Sequence, residues 1–257
     1  MKFALKVAVQ FDRFSLSYLV YARKEIIVSA GSINSPQLLM LSGIGPAEHL
    51  SSLGIPTIAD LPVGENLQDH IYPGGMHFSI NRPYTLTQPR VFTATNLGKY
   101  FAQGKGPLTS LGAVEGLAFV RTKFANITLD FPDIEIHLVS ASIQADGGRS
   151  MKQYNGLTEE LWKKVYYPYV PVDTFSLDPV LLHPKSRGYI RLRTANPYDH
   201  PIINPRYLTH PDDILAMVEG MKIAIAVGLS APYKVMGSRL IQTIYPGCES
   251  YSFFGKK

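Results

Sequence analysis

With 257 residues, 46% of them hydrophobic and 18% charged, the chain has the apolar content of a globular protein and the length of one large domain or two small ones. Its net charge of +5 comes from basic residues scattered in ones and twos, with no basic run interleaved with aromatics, which argues against nucleic acid as a partner. No apolar run approaches the ~20 residues that cross a bilayer, and the lone Cys248 excludes an intrachain disulfide and a cysteine metal site.

The opening segment, MKFALKVAVQFDRF, is broken by Lys6, runs into Asp12-Arg13 and has no small-residue cleavage site, so it does not read as a signal peptide. Alternation predicts strands over 7–11 and 16–22, joined by a hairpin loop over 12–15. The apolar run 26–29 reads as a strand buried on both faces. It meets Ala30, Gly31 and Ser32, small residues of the kind that let a partner approach the backbone closely. Ser35-Pro36 then reads as N-cap and first residue of a short helix, which Gly43 ends. Pro46 opens a second helix, closed by Gly54 in a left-handed cap.

From about Pro73 the texture changes, and GLAFVRT, PDIEIHLVS and GYIRLRT read as strands of an antiparallel sheet separated by Gly/Pro-rich turns. In GYIRLRT, Tyr189, Arg191 and Arg193 alternate with Ile190, Leu192 and Thr194, which predicts one polar and one buried face. A longer helix follows from Pro211, with Asp212 and Asp213 in its first turn, where negative charge suits the helix dipole. These elements predict a mixed α/β (α+β) fold in two modules, residues 1–70 and residues 71–257.

Generic catalytic signatures are absent: there is no GxGxxG, P-loop, GxSxG or HExxH. No histidine stands at metal-ligand spacing from another, and His183, His200 and His210 each precede a proline, so they read as polar groups in loops or strand ends. Asp69 and His70 are adjacent on an extended chain and point to opposite faces, which does not make an acid–base dyad. Asn126-Ile127-Thr128 is an acceptor triplet for N-glycosylation and hints at a secretory history. The one local feature with a binding mechanism is the turn at Gly31, where a helix N-terminus gathers unpaired N–H groups. Such a turn also serves simply to pack a helix on a strand.

GSINSPQLLMLSGIG, residues 31–45, resembles the second characteristic motif of the glucose–methanol–choline (GMC) family of flavoenzymes. LPVGENLQDH (61–70), GPLTSLGAVEGLAFVRTK (106–123) and HPKSRGYIRLRTANPYDHPIINPRYLTHPDDILAMVEGMK (183–222) are similar to further family segments in the same order, most closely in the insect glucose dehydrogenase-like branch. The resemblance implies a partial Rossmann-like FAD-binding module followed by a substrate domain with an antiparallel sheet backed by helices. It implies oxidation of an alcohol or sugar CH–OH group with FAD as cofactor and an electron acceptor as second partner. Carried onto this chain, it places Ala30, Gly31 and Ser32 beside the FAD, near its ADP portion, with Ser35 and Asn66 as further cofactor-side residues and Glu115 on the substrate-facing sheet. Asn66 could equally serve an Asx-stabilised loop, and Glu115 a solvated strand edge.

The chain departs from the family's pattern at both ends. The GxGxxG unit that holds the FAD pyrophosphate and the terminal segment carrying the acid–base histidine pair have no counterpart in it. The expectation is therefore an internal fragment, inactive by itself, with no catalytic residue assigned and secretion favoured for the longer protein. A noncatalytic remnant serving as a binding or interaction module is the alternative.

Overall fold

The computed structural model describes residues 8–253. In chain order, one-turn helices aside, these form β1 (Ala8–Arg13), β2 (Leu16–Tyr21), α1 (Gly31–Leu41), β3 (Ile44–Gly45), α2 (Ala47–Ser52), β4 (Ala59–Asp60), β5 (Glu65–Leu67), β6 (His77–Ser79), α3 (Ala94–Gln103), β7 (Val114–Val120), β8 (Ile134–Val139), β9 (Thr174–Leu181), β10 (Gly188–Arg191), β11 (Ile202–Asn204), α4 (Pro211–Gly228) and β12 (Arg239–Leu240). They fall into two units. The first takes the described residues up to Gln68 together with Arg187–Arg206, and the second takes Asp69–Ser186 and the described residues from Tyr207 onward.

In the first unit, β1 and β2 pair in register from Ala8↔Tyr21 to Arg13↔Leu16. The turn is tighter than the sequence suggested: Phe14 and Ser15 alone make it, with φ of 51° and 61°, the double left-handed geometry that matches strand twist. The core of this unit is built by residues far apart in the chain. Met40 of α1 and Leu50 of α2 are fully buried against Ile190 and Leu192, and Leu41, Leu53, Ile55, Val63 and Leu67 close around them. GYIRLRT thus has the predicted faces, with Ile190 1% and Leu192 3% exposed, but it does not join the later sheet. Its strand β10 lies between β11 and β5 in a three-stranded antiparallel sheet of the first unit. Alternation fixes which face of a strand is buried and carries no information on its partner.

Two further expectations do not hold in the structure. Residues 26–29 form no strand, and Ile27 and Val28 are 79% and 40% exposed. A strand buried on both faces needs a neighbour in the hydrogen-bonding direction and cover above and below; the described part of this unit offers it neither. Helix α1 begins at Gly31, a full turn before Pro36, so Ser35 and Pro36 lie inside the helix instead of opening it. The end of α1 agrees with the expectation: Ser42 caps it, Gly43 turns at φ +83°, and β3 follows. Helix α2 likewise ends at Leu53 and Gly54, the latter at φ +70°.

The second unit is organised on a five-stranded antiparallel sheet in the order β12-β6-β9-β8-β7. Phe78, Ile134, Ile136, Phe175, Leu177 and Leu181 pack one face of it against Ala216, Met217 and Ala224 of α4. Two glycines let the helix come close: a Cβ on Gly220 would stand 3.1 Å from Ile134 Cδ1, and one on Gly228 would stand 2.4 Å from the Phe78 ring. The start of α4 is fastened twice. His210 Nδ1 accepts the Asp212 N–H at 3.2 Å. Buried Asp213 accepts the Lys185 and Ser186 N–H groups at 2.7 and 2.9 Å and the Ser186 hydroxyl at 2.6 Å.

Candidate functional site

The first turn of α1 and the strand β5 bound a cleft of about 490 Å³ in the first unit. Gly31 enters the helix at φ +81°, in the left-handed region that favours glycine. A Cβ there would meet no atom within 4 Å, so protein crowding is not what this position answers to; the space before it is open. Ser35 Oγ accepts the Ala30 N–H at 2.9 Å and ties the entering chain to the helix. Pro36 has no N–H to give the Ser32 carbonyl one turn earlier, so the usual i→i−4 bond to that carbonyl is missing.

Ser32, Ser35, Pro36 and Leu39 form the helix side of the cleft, Val63 to Gln68 the strand side, and Ile190 also lines it. The strand side is held by close backbone contact. Gly64 sits at φ +82° and its carbonyl receives the Ile190 N–H at 2.6 Å. Asn66 is also left-handed, at φ +62°, a conformation asparagine tolerates better than most side chains. Glu65 is ion-paired with Arg191, and no lysine or arginine is among the lining residues. The cleft therefore offers helix N–H groups, two hydroxyls and the amides of Asn66 and Gln68 beside apolar Val63, Leu39 and Ile190. Ser32, Ser35 and Asn66 are brought together there; Ala30 and Gly31 precede Ser32 in the same turn and are not among the lining residues.

The other residues singled out by sequence lie in the second unit. Glu115 is exposed on β7, at the position where the pairing with β8 shifts register, and the Ser140 hydroxyl donates to its carboxylate. Its surroundings are those of a solvated strand edge. Asn126 is exposed in the connection from β7 to β8. Asp69 accepts the His70 N–H at 2.9 Å and the Tyr207 hydroxyl, so Asp69 serves a loop and does not pair with the imidazole. Cys248 is an exposed free thiol.

A polar cluster that no local pattern assembles lies on the sheet face opposite α4. His137 stands across from Asp178 in the β8–β9 pairing, and its Nε2 is 3.4 Å from Glu135 Oε1. Burial pushes the Asp178 carboxyl up to about 6, against the opposing pull of the Ser176 hydroxyl bond and His137. The hydroxyls of Tyr166 and Tyr245 meet at 2.7 Å, and burial raises both phenols. Further along, buried His77 is held down to about 4 by burial. The alternation in IEIHLV and FSLDPV carried the signal, since it sets Glu135 with His137 and Ser176 with Asp178 on single faces; their adjacency depends on a register that no local pattern specifies. A carboxyl titrating near 6 beside an imidazole can hold or release a proton near neutral pH. Among the described residues no group of three or more His, Cys, Asp or Glu is placed to hold a metal ion. No helix there is long and apolar enough to cross a membrane.

Comparison with known proteins agrees with this architecture. Two profiles described as GMC oxidoreductase match the chain, one over residues 2–72 and the other over residues 184–248. Glucose dehydrogenase (FAD, quinone) of Drosophila pseudoobscura pseudoobscura is 32% identical over 247 residues, which is 94% of this chain and 36% of the relative. Oxygen-dependent choline dehydrogenase of Brucella canis is 34% identical over 209 residues, covering 80% of this chain and 34% of the relative. The crystal structure of a formate oxidase superposes with a TM-score of 0.69 at 25% identity, covering 90% of this chain and 41% of that one. The chain thus spans about a third of the length of the curated relatives it matches.

Proposed function

From the premise that the chain belongs to the GMC oxidoreductase family, we propose that it is part of an FAD-dependent enzyme oxidising a CH–OH group of an alcohol or sugar, with its electrons passed to a separate acceptor. The observation that carries the reading is the cleft that gathers Ser32, Ser35 and Asn66 at the first turn of α1, before the open space over Gly31.

These residues suit part of such a cofactor. The N–H groups of the first turn have no intrahelical partners and favour a phosphate oxygen. The serine hydroxyls and the Asn66 amide can hydrogen-bond ribose hydroxyls or the adenine edge, and the pairing of Glu65 with Arg191 keeps a bare carboxylate from facing an anion. About 490 Å³ lies within the ~300–1,000 Å³ of small-molecule sites. FAD, when bound, supplies the hydride acceptor. This chain's part is to hold its ADP portion through Ser32, Ser35 and Asn66, with Gly31 leaving the approach clear. In the second unit, Asp178, raised by burial, can store a proton on the sheet face away from α4. No residue of this chain is assigned as the base that takes the substrate's proton.

Amide hydrogen exchange of the chain with ADP and with FAD tests the assignment. Both ligands are expected to slow exchange over residues 31–36 and 64–68 at millimolar concentration and to leave α4 unchanged. No protection in either segment with either ligand would remove the cofactor role from this cleft.

A further inference from the structure

The connection between β7 and β8, residues 121–133, is fastened at its base and open at its tip. Asp133 accepts the Thr122 N–H and hydroxyl at 2.8 and 2.6 Å, and Arg121 Nη1 donates to the Leu129 carbonyl at 3.1 Å. At the tip, the Leu129 N–H donates to the Asn126 carbonyl at 3.2 Å, which makes Asn126 the first residue of a tight turn. Its side-chain Oδ1 accepts both the N–H and the hydroxyl of Thr128, at 3.0 and 2.8 Å. Asn126 is exposed, and its Nδ2 has no hydrogen-bond partner among the described residues. Asn126-Ile127-Thr128 is also the one Asn-Xaa-Ser/Thr triplet in the chain.

We infer that Asn126 carries an N-linked glycan. The hydroxyl of Thr128 on Oδ1 makes the Nδ2 protons more acidic and leaves the opposite edge of the amide facing outward, so that Nδ2 attacks as one of its protons is lost. The donor is a lipid-diphosphate-linked oligosaccharide. A bond forms between Nδ2 and the anomeric carbon of the first sugar, the anomeric C–O bond breaks, and the diphosphate leaves with that electron pair. Nδ2 gives up one proton to a base of the transferase. The hydrogen-bonded pattern spans three residues, so it can form before the sheet does, and the finished fold then leaves the amide at a hairpin tip, where a sugar meets no obstacle.

The surroundings say what the sugar is for. Ile127 is 84% exposed, and Phe124, Leu129 and Phe131 are 46%, 52% and 55% exposed, so the tip is a band of apolar side chains in water. Beside Asn126 a cavity of about 320 Å³ opens, with Phe131 and His183 among its lining residues, their rings stacked at 4.0 Å. The apolar face of a proximal sugar can lie against such a flat surface. The glycan covers this band and keeps the hairpin from associating with other chains.

The test is to route the chain into the lumen of insect cells behind a heterologous leader and to analyse the tryptic peptide 124–149, whose only asparagine is Asn126. A hexosamine-bearing mass removable by peptide N-glycosidase is expected. Asn126→Gln and Thr128→Ala should each abolish it, and the second keeps the asparagine in place should the first disturb the turn. Enzymatic removal of the sugar should lower the concentration at which the purified chain aggregates. Recovery of this peptide unmodified from the lumenal chain overturns the assignment, and an unchanged aggregation threshold after sugar removal overturns the covering role.

Discussion

Replacing Gly64 by alanine should unlock the first unit, and the structure says by how much. At φ +82° any other residue is strained, by about 1–2 kcal/mol. A Cβ would also stand 2.2 Å from the carbonyl oxygen of Ile190 and 3.2 Å from its carbon. Those are backbone atoms of a paired strand, which cannot swing aside as the end of a flexible side chain would. Forcing extra volume into packed surroundings costs about 1–3 kcal/mol, so Gly64→Ala should lose roughly 2–5 kcal/mol in all. Gly54→Ala isolates the first contribution, because Gly54 is at φ +70° with nothing within 4 Å of its added Cβ; it should lose only about 1–2 kcal/mol. Denaturant titration followed by circular dichroism compares the two, and amide exchange at Ile190, whose N–H donates to Gly64 at 2.6 Å, reports the contact itself. Equal losses for the two variants, or unchanged exchange at Ile190, would refute the argument that collision with β10 dominates.

In the second unit, Phe78→Ala empties a fully buried site stacked on Phe175 at 5.0 Å and should cost about 3–5 kcal/mol in the same titration. Asn66→Gly keeps the left-handed backbone and deletes the amide, so stability should hold while the ADP-induced protection of 64–68 weakens; full retention of protection would show that the side chain makes no contact. Asp178 has a folded-state midpoint near 6, above the ~3.9 of a free aspartate. Its burial therefore destabilises the fold increasingly as pH rises from about 4 to 6, and fully above. Asp178→Asn should accordingly be more stable than the parent at pH 8 and lose that advantage below about pH 4; an advantage independent of pH would contradict the assignment. His77 has the opposite sign, since its midpoint lies near 4 instead of the ~6.5 of a free imidazole. Its contribution is whole above about pH 6.5 and is lost as pH falls toward 4, so His77→Gln should flatten acid destabilisation across that window, as urea midpoints measured from pH 4 to 7 would register.

What could be read from the sequence was whatever depends on neighbours in the chain. The hairpin of β1 and β2, the left-handed ends of α1 and α2, the dipole-matched start of α4 and the buried face of GYIRLRT follow from local pattern and appear in the structure. The observed start of α1 precedes the expected one because Ser35-Pro36 has the chemistry of a helix start, yet Pro36 is accommodated inside the helix. The strand expected over 26–29 does not form because an apolar run makes a buried strand only when a sheet exists to receive it. In the cleft, Ser32, Ser35 and Asn66 were singled out through family motifs, whereas Gly64, Glu65 and Ile190 were not, since their role lies in contacts made across the chain. The pairing of His137 with Asp178 is absent from local pattern for the same reason.

The late segment around β10 therefore has more consequence than its length suggests. Met40 and Leu50 come from the first fifty residues, yet half of the buried cluster they belong to, Ile190 and Leu192, arrives well over a hundred positions later. His49 Nε2 accepts the Leu192 N–H at 3.1 Å, and the Gln37 amide donates to the Asp199 carbonyl at 3.0 Å, so α1 and α2 are also pinned to this segment by polar contacts. Closing so long a loop costs entropy before any contact forms, although that cost grows only slowly with length. Until it closes, the early helices have one side of their core open to water, and β5 has no strand to pair with. The cleft inherits this dependence, because Ile190 lines it and the Ile190 N–H holds Gly64, two residues from Asn66. A ligand that needs Ser32, Ser35 and Asn66 in one place binds only after β10 has docked, and its binding energy then adds to the stability of that docking. Binding and the pairing of β5 with β10 are one equilibrium seen from two ends, which is why the exchange of the Ile190 amide reports on both.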